Sequence, residues 1–218
     1  MNKAFIFDMD GVLVDSERAW EPVDAAIWEK IVGSEVRKRM GSLLGMSLRS
    51  SYEKAIQCGS LVDYEKLLEE YAAVRVSVYA KSTVTKGVDT LAGKLVASGF
   101  RLGLVSSSHI DSINQVLPRL QFANKLEVVI SLNDTPSLRP KPSPDGYVEA
   151  LKRLDADPKT SFILEDSNLG IQAAKASGAY VIGLREHLLD GYEQTGADAY
   201  ADTMDDVAKL VKEFDARN

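Results

Sequence analysis

The chain has 218 residues, 45% hydrophobic and 27% charged, which is the composition of a globular protein able to bury one large domain or one domain carrying a smaller insertion. Its net charge of -6 repels polyanions, and no basic run with interleaved aromatics offsets this locally, so no nucleic-acid partner is expected. No segment approaches the roughly 18 uninterrupted apolar residues of a membrane helix, so no membrane partner is expected either.

The first apolar run, residues 4–7, reads as a buried strand that ends at Asp8, and it is too short for a signal-peptide core. A cytoplasmic protein, monomer or weak homodimer, is the expectation, and the single cysteine, Cys58, suits a reducing compartment. After the strand, residues 16–82 show helical spacing and no convincing strand, as in Val23, Ile27 and Ile31, or Leu67, Tyr71, Val74 and Val78. Gly33, Gly45 followed by Ser47, and Gly59 followed by Asp63 divide this stretch into separate helices, one of which holds Cys58. Pro22 either kinks the first helix or starts it, because proline is tolerated only in a first turn.

Further on, apolar runs at 102–105, 128–130, 162–164 and 180–184 read as strands. They alternate with helical patterns: Val88, Leu91 and Leu95 before Gly99; Ile113, Val116 and Leu120; Val148, Leu151 and Leu154; Ile171 and Ala174 before Gly178. Thr203 is the expected N-cap of a terminal amphipathic helix, with Asp206 three residues on. Alternation of this kind implies an α/β fold: a Rossmann-like parallel sheet with helices on both faces, formed by 1–15 and 83–218, plus a small all-helical cap, 16–82, inserted after the first strand.

Four features sit where a strand ends. Asp8-Met9-Asp10-Gly11 sends two carboxylates to one side of an extended chain, where they need a cation or a shared proton, and Gly11 permits a sharp turn beside a ligand. Ser106-Ser107-Ser108 offers hydroxyls and amides at a strand-to-helix junction, as either an anion site or an ordinary N-cap. Lys141 lies among alternate prolines, either as an ammonium held against an aspartate or as part of a rigid surface connector. Glu165-Asp166 supplies hard oxygens of the kind magnesium prefers, or the acidic start of a helix. All four fall on the carboxyl edge where open α/β sheets bind ligands.

Taken in order, the run from Asp8 to Glu17, then Ser106, Lys141 and Glu165-Asp166, resembles the four motifs of haloacid dehalogenase-like hydrolases over the whole chain. The helical insertion resembles the cap of the branch containing β-phosphoglucomutase and many sugar-phosphate phosphatases. The resemblance implies a magnesium-dependent phosphatase acting on a small phosphorylated metabolite. Asp8 would be the nucleophile, Asp10 the general acid and base, Ser106 a phosphate ligand and Lys141 the balancing cation. Asp8, Asp10, Glu165 and Asp166 would surround the metal, and Gly11, Ser107, Glu17, Trp20 and Arg49 would line the substrate site. The dehalogenases proper lack a second aspartate at the position of Asp10, which argues against carbon-halogen cleavage. β-Phosphoglucomutase has histidine where this chain has Trp20, and Arg49 stands one residue beyond the mutase's arginine, so a mutase is the alternative and a catalytically silent binding protein the third reading. His109 reads as a helix-start residue, and His187 has no partner identifiable from the sequence.

Overall fold

The apolar runs are strands in the computed structural model, which describes residues 2–43, 46 and 48–215 and, for residue 17, the backbone only. In chain order the elements begin with β1 (Lys3–Phe7) and β2 (Val14–Asp15), then the helices α1 (Glu17–Met40), α2 (Leu48–Gln57) and α3 (Tyr64–Lys81). β3 (Thr83–Val84) returns the chain to the sheet, followed by α4 (Val88–Ala97), β4 (Phe100–Ser106), α5 (Ile110–Val116), β5 (Leu126–Ser131) and α6 (Asp145–Arg153). β6 (Phe162–Glu165), α7 (Asn168–Ala176), β7 (Tyr180–Leu184), β8 (Ala199–Ala201) and α8 (Met204–Asp215) complete it.

Six strands form one parallel sheet in the order β5-β4-β1-β6-β7-β8. Because side chains alternate along a strand, β1 splits its apolar residues between two cores. Phe5 and Phe7 face α4, α5 and α8 through Leu91, Ile113 and Val207, whereas Ala4 and Ile6 face α6 and α7 through Leu151 and Ile171. Helices on both faces and continuous apolar strands are the expected arrangement. The strand order runs outward from β1 in both directions, so β1 ends at the topological switch point, beside the ends of β4 and β6.

The helices α1 to α3 have their own apolar cluster around Ile27, Trp28, Met40, Ala55 and Leu67. Gly33 breaks α1 with φ of +75°, a conformation glycine adopts without strain. Asp63 caps α3 by accepting from the Glu65 amide, and Thr203 caps α8 by accepting from the Asp206 amide, both as expected. Pro22 does not start α1, which begins at Glu17 and runs through it; the one residue inside the helix with non-helical dihedrals is Gly33. Cys58 falls just past α2, and the expected Gly45–Ser47 boundary involves residues outside the described set. Val148 is 46% exposed, because the core-facing stripe of α6 is Tyr147, Ala150 and Leu151. Leu120 is buried past the end of α5, after a 3-10 turn. No described helix is long and apolar enough to cross a membrane.

Two features escaped the sequence reading. β8 adds a sixth parallel strand, and β2 pairs antiparallel with β3 through Val14↔Val84 and Asp15↔Thr83. That ribbon carries both chain crossings between the sheet and the three helices.

Candidate active site

β1 delivers Asp8, β4 delivers Ser106 and β6 delivers Glu165 to one edge of the sheet, which the parallel register places side by side. Asp8 is 4% exposed and accepts from the Lys141 ammonium, which also donates to Glu165 Oε1 at 2.6 Å. Lys141 itself reaches the strand ends from the loop before α6. Glu165 is fully buried: Tyr147 donates to Oε1 at 2.7 Å, and the amides of Asp166 and Ser167 and the Ser167 hydroxyl donate to Oε2. Both its oxygens are thus engaged by protein donors, and its visible work is to hold Lys141.

Burial raises the pKa of Asp8 well above the ordinary carboxylate value, with the charges of Glu165 and Asp10 adding and Lys141 opposing. Burial pulls the Lys141 ammonium down, but Asp8 and Glu165 outweigh it and hold its pKa above the ordinary lysine value. A second cation beside Asp8 would therefore favour its ionised form.

Asp10 shares the electrostatic site but binds other groups. Its Oδ1 accepts from Ser16 and Tyr79, both at 2.7 Å, and its Oδ2 accepts from Ser108 at 2.8 Å and lies 3.5 Å from Ser106 Oγ. Asp8, Glu165 and Asp166 each place a carboxylate oxygen within 4.8 Å of the others, and the Asp10 side chain is not in that group. Asp10, also expected beside the metal, has both carboxylate oxygens bonded to hydroxyls and stands outside this group. Hard carboxylate oxygens from Asp8 and Asp166, with Glu165 holding Lys141 behind them, fit an oxygen-seeking divalent cation. Gly11 has φ of +66°, and an added Cβ would fall 1.9 Å from Asp166 Oδ2, so this glycine makes room for Asp166.

The serine loop differs from the sequence reading in its details. Ser106 is buried, and its Oγ accepts from the Ser108 amide, while Ser107 is exposed. Asp134 accepts from the Ile110 amide at 2.7 Å and lies 3.5 Å from His109, so the start of α5, read as either an anion site or a serine-capped helix end, is met by a carboxylate of the chain. The Ile110 amide is the main reason the Asp134 carboxyl is held below its usual range.

On the helical segment, Trp20 packs against Tyr71 and Tyr79 with ring centroids 5.6 and 6.0 Å apart, and Tyr79 donates to Asp10. Arg49 is not brought to this group: its guanidinium pairs with Glu53 at 3.0 Å and lies over the Tyr64 ring. Glu17 opens α1, and its side chain lies outside the described set. The sequence reading missed Tyr79, Tyr147 and Asp134. Both tyrosines stand at apolar-stripe positions of their helices, where nothing local separates a packing ring from a site hydroxyl. His187 does have partners, Thr85 Oγ1 at 3.0 Å and Asp15 Oδ2 at 3.6 Å.

A parallel sheet whose central strand ends in an aspartate bonded to a buried lysine, next to a second aspartate held by hydroxyls, is a site suited to chemistry centred on a carboxylate. The sequence profile of the haloacid dehalogenase-like hydrolases matches residues 5–184, and the chain belongs to that family. A validoxylamine A 7'-phosphate phosphatase from Streptomyces hygroscopicus subsp. limoneus is 29% identical over 196 residues, 84% of this chain and 86% of that one. A beta-phosphoglucomutase from Bacillus subtilis (strain 168) is 25% identical over 213 residues, 90% of this chain and 87% of that one. Among solved structures, a conserved haloacid dehalogenase-like protein of unknown function from Agrobacterium tumefaciens has the same fold, with a TM-score of 0.77 at 21% identity, covering 99% of this chain and 100% of that one.

Proposed function

We propose that this chain, an enzyme of the phosphoric monoester hydrolase class, hydrolyses a small phosphorylated metabolite, a sugar phosphate or similar polyol ester, through a phosphoaspartyl intermediate on Asp8. The observation that carries the reading is the division of partners at the end of β1: Asp8 against the Lys141 ammonium, Asp10 against hydroxyls. One carboxyl is set against positive charge, as a nucleophile meeting a phosphate dianion must be. The other is held by groups that can follow a proton.

Asp8 attacks phosphorus, and its new O–P bond forms as the ester P–O bond breaks; Asp10 gives a proton to the departing alkoxide oxygen. Asp10, now ionised, takes a proton from water, whose oxygen attacks the phosphorus of the acyl phosphate, releasing inorganic phosphate and regenerating Asp8. Lys141 offsets the repulsion between Asp8 and the incoming dianion. Ser106, whose Oγ is 3.5 Å from Asp10, is the donor we assign to a phosphoryl oxygen. Asp8 and Asp166, with Glu165 behind them, fit a magnesium ion, which when bound neutralises phosphoryl charge as a Lewis acid.

Residues 16–82 act as the cap, with Trp20 and the α3 tyrosines at its mouth, and the setting is cytoplasmic. The similarity to the validoxylamine A 7'-phosphate phosphatase supports hydrolysis of a small phosphate ester. The relationship to a mutase is comparable in coverage, but Trp20 is an untitratable ring packed on Tyr71 and Tyr79, and Arg49 is committed to Glu53, so the mutase reading is set aside. The test is a panel of phosphate esters with magnesium, beside β-glucose 1-phosphate plus its bisphosphate activator. Phosphate release is expected; glucose 6-phosphate formed without released phosphate would overturn the reading.

A further inference from the structure

The two chain segments that join the sheet to the helices run side by side as the β2–β3 ribbon, and one imidazole touches both. His187, in the loop after β7, has a side chain only 11% exposed. Its Nε2 lies 3.0 Å from Thr85 Oγ1, just past β3, and its Nδ1 lies 3.6 Å from Asp15 Oδ2 on β2. The Thr85 amide in turn donates to the Leu13 carbonyl at the root of β2. Beyond Asp15 the chain enters Ser16, which is fully buried and donates to Asp10 Oδ1. Before β3 it leaves α3, whose Tyr79 donates to the same oxygen. Both arms of the ribbon therefore end on Oδ1 of Asp10, and a shift of the ribbon moves both donors.

We propose that His187 is a positioning residue: bonded to Thr85 and packed beside Asp15, it fixes the ribbon and, through Ser16 and Tyr79, the orientation of Asp10. The inference rests on the reading of Asp10 as the proton-transfer group. The charged groups around the imidazole are Asp15 on β2, Arg18 on α1, whose Nη1 is 3.2 Å from Asp15, and Glu186 and Lys86, which face each other beside Asp15. Burial lowers the imidazole pKa, with Arg18 adding and Asp15 opposing, so the ring is neutral at pH 7, and its buried Nδ1 has no hydrogen-bond partner. Protonation below that pKa gives the ring a second N–H toward Asp15 and tightens the clasp.

The test compares wild type, His187→Ala, His187→Gln, Asp15→Asn and Asp10→Asn on two substrates. The phenolate of p-nitrophenyl phosphate departs without a proton, whereas an alkyl sugar phosphate needs one from Asp10. Because hydrolysis of the phosphoaspartate is common to both esters, the rate read is that of leaving-group release in a single turnover: His187→Ala is expected to lower it on the alkyl ester by about tenfold and much less on the aryl ester, with KM changed by no more than about twofold. His187→Gln, whose amide can still bond Thr85, recovers part of the loss, and the gain in alkyl-ester rate that imidazole protonation brings toward acid pH disappears in both His187 variants. Asp15→Asn shows the same selective loss and decides the matter if His187→Ala does not fold. Equal losses on both esters, or a wild-type pH profile without the imidazole, overturn the inference. Equal losses in Asp10→Asn overturn the reading of Asp10 instead, so the two failures are told apart.

Discussion

Asp8 and Asp10 are chemically identical and two residues apart, and their neighbours alone separate them. Asp8 sits between a buried ammonium and two further carboxyls, so removing its charge removes the attacking oxygen while leaving its shape. Asp8→Asn is expected to lower turnover by on the order of 10³-fold or more, measured as phosphate release, because a nucleophile has no substitute at its position. Asp10 depends on donors it does not choose. Tyr79→Phe keeps the ring against Trp20 and deletes one of the two bonds to Oδ1, so kcat falls about tenfold, the value of one charge-assisted hydrogen bond, with the unfolding midpoint nearly unchanged. Gly11 acts by having no side chain. In Gly11→Ala the new methyl must displace the Asp166 carboxylate, and the magnesium concentration for half-maximal rate is expected to rise by about 10- to 100-fold in a metal titration.

At the scale of the element, α7 shows why the strand–turn–helix after β6 is built as it is. Ser167 caps the helix through the Gly170 amide and also donates to Glu165, so the cap and the buried carboxylate share one hydroxyl. Gly170 makes that approach possible, since a Cβ there would lie 1.8 Å from Glu165 Oε1. Gly170→Ala is expected to cost about 1–3 kcal/mol in urea unfolding, because Glu165, with both oxygens bonded, has nowhere to retreat. The strands that carry the site were legible in the sequence, because runs such as Phe162 to Glu165 are apolar on both faces and end in chemically marked residues. β2 and β3 were not, being two residues long, with no room for a pattern to repeat. β8, Ala199–Ala201, was hidden for the same reason. Within the site, the residues legible in the sequence were those at strand ends. Tyr79 and Tyr147 come from helices that reach the edge only through tertiary packing, which no local spacing reports.

For the molecule as a whole, the site gathers more negative charge than positive. β1 and β6 bring Asp8, Asp10, Glu165 and Asp166 to one edge, and Lys141 answers with one ammonium that stays protonated throughout the neutral range. Stability without metal should record the imbalance. Asp8 has a folded-state pKa raised above its unfolded value of 3.8, so the native state holds this proton more tightly than the unfolded chain. That contribution is fully present below 3.8 and is lost as pH rises through the raised pKa, the sign opposite to that of a salt-bridged surface aspartate. A divalent cation competes with the same proton and binds only the folded arrangement, so it stabilises by mass action once Asp8 is ionised. Magnesium is therefore expected to raise the unfolding midpoint more at pH 7.5 than at pH 5, relative to matched samples in chelator. Asp8→Asn, which removes the titrating charge, should shrink that difference along with the increment itself. A magnesium increment independent of pH in the wild-type chain would mean that the ion and the Asp8 proton do not share a site, and the metal would have to be sought away from the end of β1.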